Sequence, residues 1–439
     1  MIAPGPRGAF LLGSLPLARQ DPLRMIREAV RDHGDLVRLT FPVGIAHLTR
    51  DPEHIKEVLS DSAGRFSKQT RGWDNLRLLI GNGLLTSEGD TWLRQRRIAQ
   101  PAFHKQRVAA FTGPIGRAAA ELLDGWTDGQ RLDAAEEMMR VTLRIAGETL
   151  LGKDPSADAA VVEHALTSVL FFIKRRALQL FPLSMRWPTP ANRRFLAARA
   201  RLDAVIYALI AERKARPGGN DLLSTLLEAR DELTGEGLSA LQLRDEVMTM
   251  FLAGHETTAN ALSWALYAVA RAPAVRERLE QEVDALGRPP SPDDLGRLTY
   301  TRRVIDETLR LFPPVWMIPR RIEADCELGG YALPARTLLL LSVYAAHRHP
   351  AHWERPEEFD PDRFLPEPSA ARPRHAYLPF GGGPHQCIGN GLALLQMQLV
   401  LAAVAQRFRL ELIGPGEIAP EPLVTLRPLG GVPVRVRRR

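Results

Sequence analysis

A glycine-rich turn that ends in a cysteine and leads straight into an apolar helical segment is the most constraining feature of this sequence. The turn reads Phe380-Gly-Gly-Gly-Pro-His-Gln-Cys387-Ile-Gly389, and a helix is predicted from Ile388 to Phe408. Glycines let a backbone turn tightly and approach a bound group closely. The N–H groups of the turn and the positive end of the helix can stabilise a thiolate at Cys387.

A thiolate held in this way suits a heme iron, which needs a sulfur ligand that is deprotonated, shielded from water and hydrogen-bonded. Phe380 would cover one side of the sulfur, and His385 lies where it could meet a heme propionate. The plain alternative is a turn that ends in a buried free cysteine. The chance of finding Phe, Gly, a basic residue, Cys and Gly at these offsets is on the order of 10⁻⁴ or less, which favours the iron ligand.

The composition predicts an ordinary globular protein. The chain has 439 residues, of which 45% are hydrophobic and 25% are charged, and no linker or internal repeat divides it, so one domain over residues 1–439 is expected. Two cysteines, Cys326 and Cys387, cannot form a disulfide framework and indicate a reducing compartment. Met1–Gly13 lacks the order of a secretion signal, and no run of about 18 apolar residues occurs. We therefore expect a cytoplasmic protein without a transmembrane anchor.

The net charge is +7, with many more arginines than lysines. A basic balance is compatible with nucleic acid, an anionic membrane or an acidic protein partner. The arginines are scattered and no recognition motif accompanies them, so nucleic-acid binding is not expected.

The hydrophobic pattern predicts a mainly α-helical fold with small β elements. A hairpin is predicted from Leu36–Phe41 and Ile45–Thr49, short strands at Cys326–Leu328 and Thr337–Leu341, and a long coil over His349–Pro384. The predicted helices are Pro22–Asp32, Asp90–Ile98, Ala118–Leu123, Ala134–Leu151, Ala157–Leu180, Asn192–Arg216, Ala240–Arg271, Ala274–Leu286 and Leu298–Phe312.

Ala253-Gly254-His-Glu256-Thr257-Thr lies in the middle of the longest predicted helix. A mid-helix glycine costs about 1 kcal/mol relative to alanine and therefore needs a reason. The Thr257 hydroxyl can bond the carbonyl of Ala253, four residues back. We expect the two features to open the helix locally and leave room for a small ligand and a water. The alternative is a glycine that serves only helix packing.

These segments resemble the cytochrome P450 family of heme-thiolate monooxygenases. The family's heme-binding signature, Phe-x-x-Gly-x-Arg-x-Cys-x-Gly, matches here at Phe380, Gly383, Cys387 and Gly389, with His385 in place of the arginine. The resemblance implies a mainly α fold shaped as a triangular prism. Heme b would lie between the long helix and the Cys387 helix, with Cys387 as the iron ligand.

Family motifs elsewhere imply further roles. Trp92, Arg96, Arg320 and His385 would bind the heme propionates, and Phe380, Gly389, Ala253 and Gly254 would line the heme. The Ala253–Thr258 segment matches the oxygen-activation motif, in which Thr257 hydrogen-bonds dioxygen and Glu256 relays protons. A third pattern, Glu307-x-x-Arg310 together with Arg363, would form one buried structural network.

The resemblance also implies a substrate pocket and a redox partner. The pocket-lining regions are apolar, which predicts an apolar substrate such as a terpenoid, a fatty acid or a polyketide. These regions are Gly72–Leu85, Leu170–Trp187, Met250–Ala253 with Thr257, and Val315–Ile318. The chain carries no flavin or iron–sulfur module, so electrons are expected from a ferredoxin and its reductase. The basic residues expected to meet the acidic ferredoxin are Arg348, Arg372, Arg374 and His375.

Three alternatives use other chemistry. The same fold can use or rearrange a peroxide, but Thr257 and Glu256 argue against this because those reactions need no proton relay from dioxygen. A second alternative is a non-catalytic heme sensor, which would show no steady turnover with any redox partner. A metal site formed by His347, His349 and His352 lacks a closed ligand set.

Overall fold

A computed structural model describes residues 1–61, 63–152, 159–177, 179–219, 221–414 and 416–439. The chain is mainly α-helical with small sheets, as predicted. Its helices are α1 (Leu15–Gln20), α2 (Pro22–His33), α3 (Pro52–Leu59), α4 (Arg71–Ile80), α5 (Gly89–Ala99), α6 (Lys105–Ala110), α7 (Thr112–Asp124), α8 (Ala134–Ala146), α9 (Ala159–Ala177), α10 (Pro190–Ala215), α11 (Leu222–Glu228), α12 (Ala240–Arg271), α13 (Pro273–Asp284), α14 (Thr299–Leu311), α15 (Val343–Ala346), α16 (Pro366–Ala371) and α17 (Asn390–Arg407).

Short strands form four small sheets in the described residues. The largest sheet has the order β1-β2-β8-β5-β3, in which β2 and β8 run parallel and the other neighbours antiparallel. The strands are β1 (Leu36–Phe41), β2 (Gly44–Thr49), β3 (Phe66–Ser67), β4 (Arg131–Asp133), β5 (Ile318–Ile322), β6 (Cys326–Leu328), β7 (Tyr331–Leu333), β8 (Leu338–Leu341), β9 (Phe408–Leu412), β10 (Pro420–Pro422), β11 (Leu426–Pro428) and β12 (Pro433–Arg438).

α12 is the central helix, and its bounds are those predicted. Ser239 caps its first turn in a capping box with Gln242, which satisfies two of the free N–H groups at that end. Most of its residues are buried on all sides, because α8, α10, α14 and α17 pack around it. One large apolar core surrounds this helix, and two smaller cores lie on the faces of the five-stranded sheet.

Several predicted elements have different bounds. The hairpin is confirmed as β1 and β2, with Phe41 paired to Gly44. The predicted helix Ala134–Leu151 ends as α8 at Ala146 and continues as a π-helical turn, Gly147–Leu151. In the predicted helix Ala157–Leu180, residues 157, 158 and 178 lie outside the described residues.

Other predictions need correction. The cysteine helix α17 starts at Asn390 rather than at Ile388, because Gly389 forms its N-cap. Several short elements have no counterpart in the prediction, since they are too short to establish a period. These are α1, α3, α4, α6, α11, α15, α16, β3, β4, β5, β7 and the C-terminal strands β9 to β12.

The predicted network around Glu307 and Arg310 is present and fully buried. The Arg310 guanidinium makes two 2.7 Å hydrogen bonds to the Glu307 carboxylate. It also donates to the carbonyls of His347 (3.0 Å), Pro356 (2.6 Å) and Glu358 (3.0 Å). One side chain thus fixes the end of α15 and two points of the long coil against α14.

Arg363 completes this network, as predicted. Its Nε lies 3.5 Å from Glu307 Oε1, and its guanidinium donates to the carbonyls of Glu354 and Arg355. The backbone N–H of Asp360 donates to the same Glu307 oxygen at 2.9 Å. Glu307 therefore binds two arginines and one backbone N–H of the coil.

We predict that Glu307→Ala destabilises the protein by about 3–5 kcal/mol, because Arg310 and Arg363 would remain buried without their carboxylate. The free energy of unfolding by urea measures this loss. Glu53→Ala is a matched control, since Glu53 and Lys56 are also three residues apart but 68% and 54% exposed. The control should change stability by about 0–1 kcal/mol. Equal effects of the two substitutions would contradict a structural role for the buried network.

Candidate active site

A cavity of about 1710 Å³ lies between α12 and the cysteine turn. Single small-molecule pockets usually measure about 300–1,000 Å³, so this cavity is larger than one small ligand requires. Cys387 and Phe380 lie on one wall, and Ala253, Gly254 and Thr257 lie on another.

The turn before α17 presents the Cys387 sulfur to this cavity. The side chain is exposed because it faces the cavity, although protein surrounds it deep in the molecule. Cys387 N–H donates to the Phe380 carbonyl at 2.9 Å, which closes the turn. Gly383 has a φ of +65°, and a Cβ there would lie 2.0 Å from the Leu59 carbonyl oxygen. Glycine is therefore required where this turn crosses α3.

Two groups favour the ionised form of the sulfur. Burial raises the pKa of the Cys387 thiol, whereas a hydrogen bond from the Gly389 N–H and the charge of Arg96 lower it. Of the predicted N–H donors in the turn, Gly389 is the one whose effect on the sulfur is seen. The Arg96 guanidinium is held in place by the Gln386 carbonyl, 3.0 Å from Nη1.

Four basic side chains converge on the same end of the cavity. Arg96, Arg320 and His385 were predicted from the sequence, and Lys68 was not. Burial lowers the pKa of Lys68 to about 7 and that of Arg320 to about 10, while Glu88 acts in the opposite direction on both. The group thus carries more positive than negative charge, which is the arrangement that binds an anion such as a carboxylate.

His385 is half-buried and packs against Trp92, with ring centroids 4.0 Å apart. Its Nδ1 is buried without a hydrogen-bond partner. Burial and the charges of Lys68, Arg320 and Arg96 lower the pKa of His385 to about 3. At neutral pH it is therefore a neutral hydrogen-bonding group rather than a cation.

The middle of α12 forms the opposite wall. The Thr257 hydroxyl donates to the Ala253 carbonyl at 2.6 Å, as predicted. However, α12 is helical throughout this segment, so the expected opening is not present. A Cβ at Gly254 would lie 3.2 Å from Leu150 Cδ1. The glycine therefore allows close packing against the π-helical turn, in line with the packing alternative.

Glu256, the neighbour of Thr257, is buried and points to the segment between β10 and β11. Its Oε1 accepts a 2.6 Å hydrogen bond from the Thr425 hydroxyl. Burial raises the pKa of Glu256, and Thr425 and Arg427 oppose this rise. No local sequence pattern could indicate this role of Thr425, because it lies more than 160 residues from its partner Glu256.

Two acids near the start of α12 hold the loop of residues 81–88 over the cavity. Asn82 N–H donates to Asp245 Oδ2 at 2.8 Å, and Leu84 N–H donates to Glu246 Oε2 at 3.1 Å. Glu246 Oε1 is buried without a partner, and burial raises the pKa of this carboxyl to about 7. Leu84 and Leu85 of the loop line the cavity.

Comparisons with known proteins agree with this geometry. A family model described as "Cytochrome P450" matches residues 3–430. The chain belongs to the cytochrome P450 family. It is therefore a P450 monooxygenase, an oxidoreductase that incorporates oxygen from dioxygen, and this family binds heme.

Individual relatives cover nearly the whole cytochrome P450 chain. "Cyclooctatin synthase" of Streptomyces melanosporofaciens is 38% identical over 97% of this chain and 93% of its own. "Pentalenene oxygenase" of Streptomyces avermitilis is 34% identical over 90% of this chain and 88% of its own. The crystal structure of the cytochrome P450DA heme domain superposes with a TM-score of 0.88 at 29% identity, covering 100% of this chain and 98% of that one.

The residues of this P450 fit a heme. A sulfur faces the cavity, and the basic group at one end suits the two carboxylates of the cofactor. Phe380, Gly389, Ala253, Gly254 and Trp92 also line the cavity, as expected of heme contacts.

The four predicted substrate regions all contribute to the cavity, although Phe181–Trp187 do not line it and residue 178 lies outside the described residues. Several lining segments were not predicted, among them residues of α1 and α2, the β1–β2 turn and Glu417–Thr425. They come close only through the tertiary fold, so local patterns could not indicate them.

Two of the predicted docking cations are occupied within the fold. Arg348 donates to the Leu311 carbonyl at 2.6 Å and stacks on Tyr344. Arg372 lies 4.1 Å from the centre of the Trp353 ring and donates to the Arg363 carbonyl at 2.8 Å. These two predictions are therefore corrected, while Arg374 is exposed.

The alternative metal site is not supported. His347 is buried between the Arg310 carbonyl and the Leu378 N–H, and His349 pairs with Asp35. No cluster of three or more metal-ligating side chains occurs among the residues that the structure describes. Within the same residues, no helix combines the length and apolar character needed to cross a membrane.

We predict that Glu246→Gln removes a pH dependence of stability. Because the pKa rises from 4.5 to about 7 on folding, the folded protein binds a proton between these pH values that the unfolded chain releases. Native stability should therefore fall by up to about 3 kcal/mol between pH 4.5 and pH 7 through this group.

Unfolding free energies at several pH values in this window measure the effect. The exposed Glu367→Gln should keep the native slope and is the control. Equal slopes for the native protein and Glu246→Gln would show that burial does not perturb this carboxyl.

Proposed function

We propose that this P450 binds heme b with Cys387 as its iron ligand and oxidises an apolar small molecule. The observation that carries the proposal is one cavity that combines the Cys387 sulfur, the basic group around Arg320 and the Ala253–Thr257 wall. When bound, heme supplies a redox-active iron at which dioxygen is reduced. The protein supplies position, hydrogen bonds and shielding from water.

The heme carboxylates would be held by Arg96, Arg320, Lys68 and His385. Guanidinium groups suit this role because they remain charged and offer forked donors. Trp92 supports the group by packing its ring against that of His385. An anion beside Lys68 would also raise the pKa of its amine, which burial holds at about 7.

On the opposite wall, Thr257 and Glu256 would serve proton transfer. The Thr257 hydroxyl is at the cavity surface and is held by the Ala253 carbonyl. Glu256 lines the same cavity, and burial raises the pKa of its carboxyl, which favours the protonated form that can donate a proton.

The first test is the carbon monoxide difference spectrum of the reduced protein. We expect the strongly red-shifted Soret band of a thiolate-ligated heme in the native protein and its loss in Cys387→Ala. Cys326→Ala is the matched control and should keep the band, since Cys326 lies in β6, outside the residues that line the cavity. A folded, heme-supplied native protein without any heme band would refute the proposal.

The proposed substrate is a cyclic terpenoid hydrocarbon or alcohol. The cavity wall is largely apolar, from Leu76 and Leu79 on α4 to Ile173 on α9. Relatives that support this class are named for cyclooctatin, cyclooctat-9-en-7-ol and pentalenene. A compact polycycle also matches a cavity with room beside the cofactor.

We expect a cyclic terpenoid to displace water from the iron and shift the Soret band at lower concentration than a fatty acid of equal carbon number. The acid loses affinity because its carboxylate must leave water. Optical titration of a matched panel measures both affinities. Tighter binding of the fatty acids would favour that second substrate class instead.

A ferredoxin is the proposed electron donor. Lys105 and Arg374 are exposed cations near the cysteine turn. Phe103, two residues before Lys105, has a ring carbon 3.7 Å from where a Gly389 Cβ would lie. His375, next to Arg374, lies beside Gly382 of the turn. An acidic ferredoxin docked there would approach the proximal side of the site.

We predict that the double variant Lys105→Glu, Arg374→Glu slows electron transfer from an acidic ferredoxin at low salt without changing substrate affinity. Stopped-flow reduction under carbon monoxide measures the rate. Lys214→Glu on α10 is the control for added negative charge, because α10 packs on α9 and α12. A rate equal to that of the native enzyme would place the docking surface elsewhere.

A further inference from the structure

A hydrogen-bonded trio, Glu256, Asn260 and Thr425, lies between α12 and the β10–β11 segment. All three side chains are buried. Thr425 Oγ1 donates to Glu256 Oε1 at 2.6 Å and accepts from Asn260 Nδ2 at 3.1 Å. Glu256 and Asn260 are four residues apart and so share one face of the helix.

This arrangement orients the Thr425 hydroxyl. A threonine hydroxyl has one hydrogen to donate, and the Asn260 amide already occupies an acceptor position on the oxygen. The hydrogen therefore points to Glu256 Oε1. When Glu256 is protonated, its own proton resides on Oε2, the carboxyl oxygen that Thr425 does not hold.

The backbone around Thr425 is firmly anchored. The indole of Trp316 donates to the Leu423 carbonyl, and the indole of Trp264 donates to the Leu426 carbonyl, both at 3.1 Å. Leu426 N–H donates to the Pro314 carbonyl at 2.9 Å. Because both sides of Thr425 are fixed, its hydroxyl is a stationary partner for the carboxyl group.

The neighbouring charged side chains do not replace Thr425 as the direct partner of the Glu256 carboxyl. Arg427, on β11, lowers the pKa of Glu256 through its charge but forms its ion pair with Glu421 at 2.8 Å. Lys174 of α9 lies 3.8 Å from Glu421, so the Glu421 carboxylate has a second cation nearby. Thr425 is thus the side chain that contacts the buried carboxyl directly.

We propose that Thr425, oriented by Asn260, is a positioning residue that fixes Glu256 for proton transfer to dioxygen. The inference rests on the proton-transfer part of the proposed function. The coupled reaction is RH + O₂ + 2 e⁻ + 2 H⁺ → ROH + H₂O, with electrons from the reduced ferredoxin. If the second proton is not delivered to the distal oxygen, the same electrons form hydrogen peroxide: O₂ + 2 e⁻ + 2 H⁺ → H₂O₂.

The test compares Thr425→Val, which removes the hydroxyl at nearly constant volume, with Thr425→Ser, which retains it. The first measurement is peroxide released per NADH oxidised in the reconstituted holoenzyme. We expect several-fold more peroxide in Thr425→Val, with recovery towards the native value in Thr425→Ser. Asn260→Leu should give a smaller rise, because the Thr425 hydroxyl would still be present but free to rotate.

The second measurement needs no turnover. The infrared carboxyl stretch of protonated Glu256, assigned by its absence in Glu256→Gln, is followed against pH in the holoenzyme. The hydrogen bond from Thr425 and the charge of Arg427 both favour the carboxylate. The band should therefore persist to higher pH in Thr425→Val than in the native protein and in Thr425→Ser.

Ser263→Ala is the matched control. It removes another buried hydroxyl of α12, which bonds the Ala259 carbonyl at 2.7 Å, and should leave both readouts unchanged. The proposal is overturned if either readout in Thr425→Val equals the native one. Failure of the proposed function would look different, since the native protein itself would then lack the thiolate–heme band or oxidise no NADH.

Discussion

The hydrogen bonds of the buried Arg310 guanidinium are the interactions on which the long coil and the cysteine turn depend. The guanidinium joins α14 to the His347 carbonyl at the end of α15 and to two carbonyls of a coil that has little regular structure of its own. Glu307 balances the charge, so the group is buried without the full penalty of an isolated cation. The coil runs on from this point to the cysteine turn, and its stable course is what places Cys387 at the cavity wall.

At one end of the cavity, in contrast, the buried charges are not balanced. Lys68, Arg320 and Arg96 are held close together, and Glu88 offsets only part of their charge. Such a concentration is unfavourable in isolation and becomes favourable when an anion is bound. The fold thus contains one buried charge set that is internally balanced and another whose excess positive charge a bound anion would balance. This contrast separates the structural arginines from those suited to binding.

Local patterns predicted much of the fold and part of the site. The period of α12 and the turn around Cys387 were recognisable because each depends on residues close in sequence. The roles of Glu307, Arg310 and Arg363 came from the family resemblance, and the structure brings them together as expected.

What sequence could not supply depends on long-range packing. Lys68 belongs to no motif. Its place in the basic group depends on the fold, which brings Arg320, more than 250 residues away in sequence, beside it. The sequence alone suggests that Arg372 is an exposed charge. In the structure its guanidinium lies over the rings of Trp353 and Phe364, a contact that no local pattern indicates. Short strands such as β10 and β11 contain prolines and have too few residues for a period.

The segment between β10 and β11 has a consequence for redesign of the enzyme. Leu423 and Val424 line the cavity, and Thr425, next in the chain, holds the buried acid. A change of shape at the first two positions is transmitted through a backbone that is pinned by two indoles, so it cannot relax without moving the third. Under the proposed role of Thr425, changes at Leu423 or Val424 would alter both substrate selectivity and the yield of product per electron, whereas α4 contributes a different part of the cavity wall.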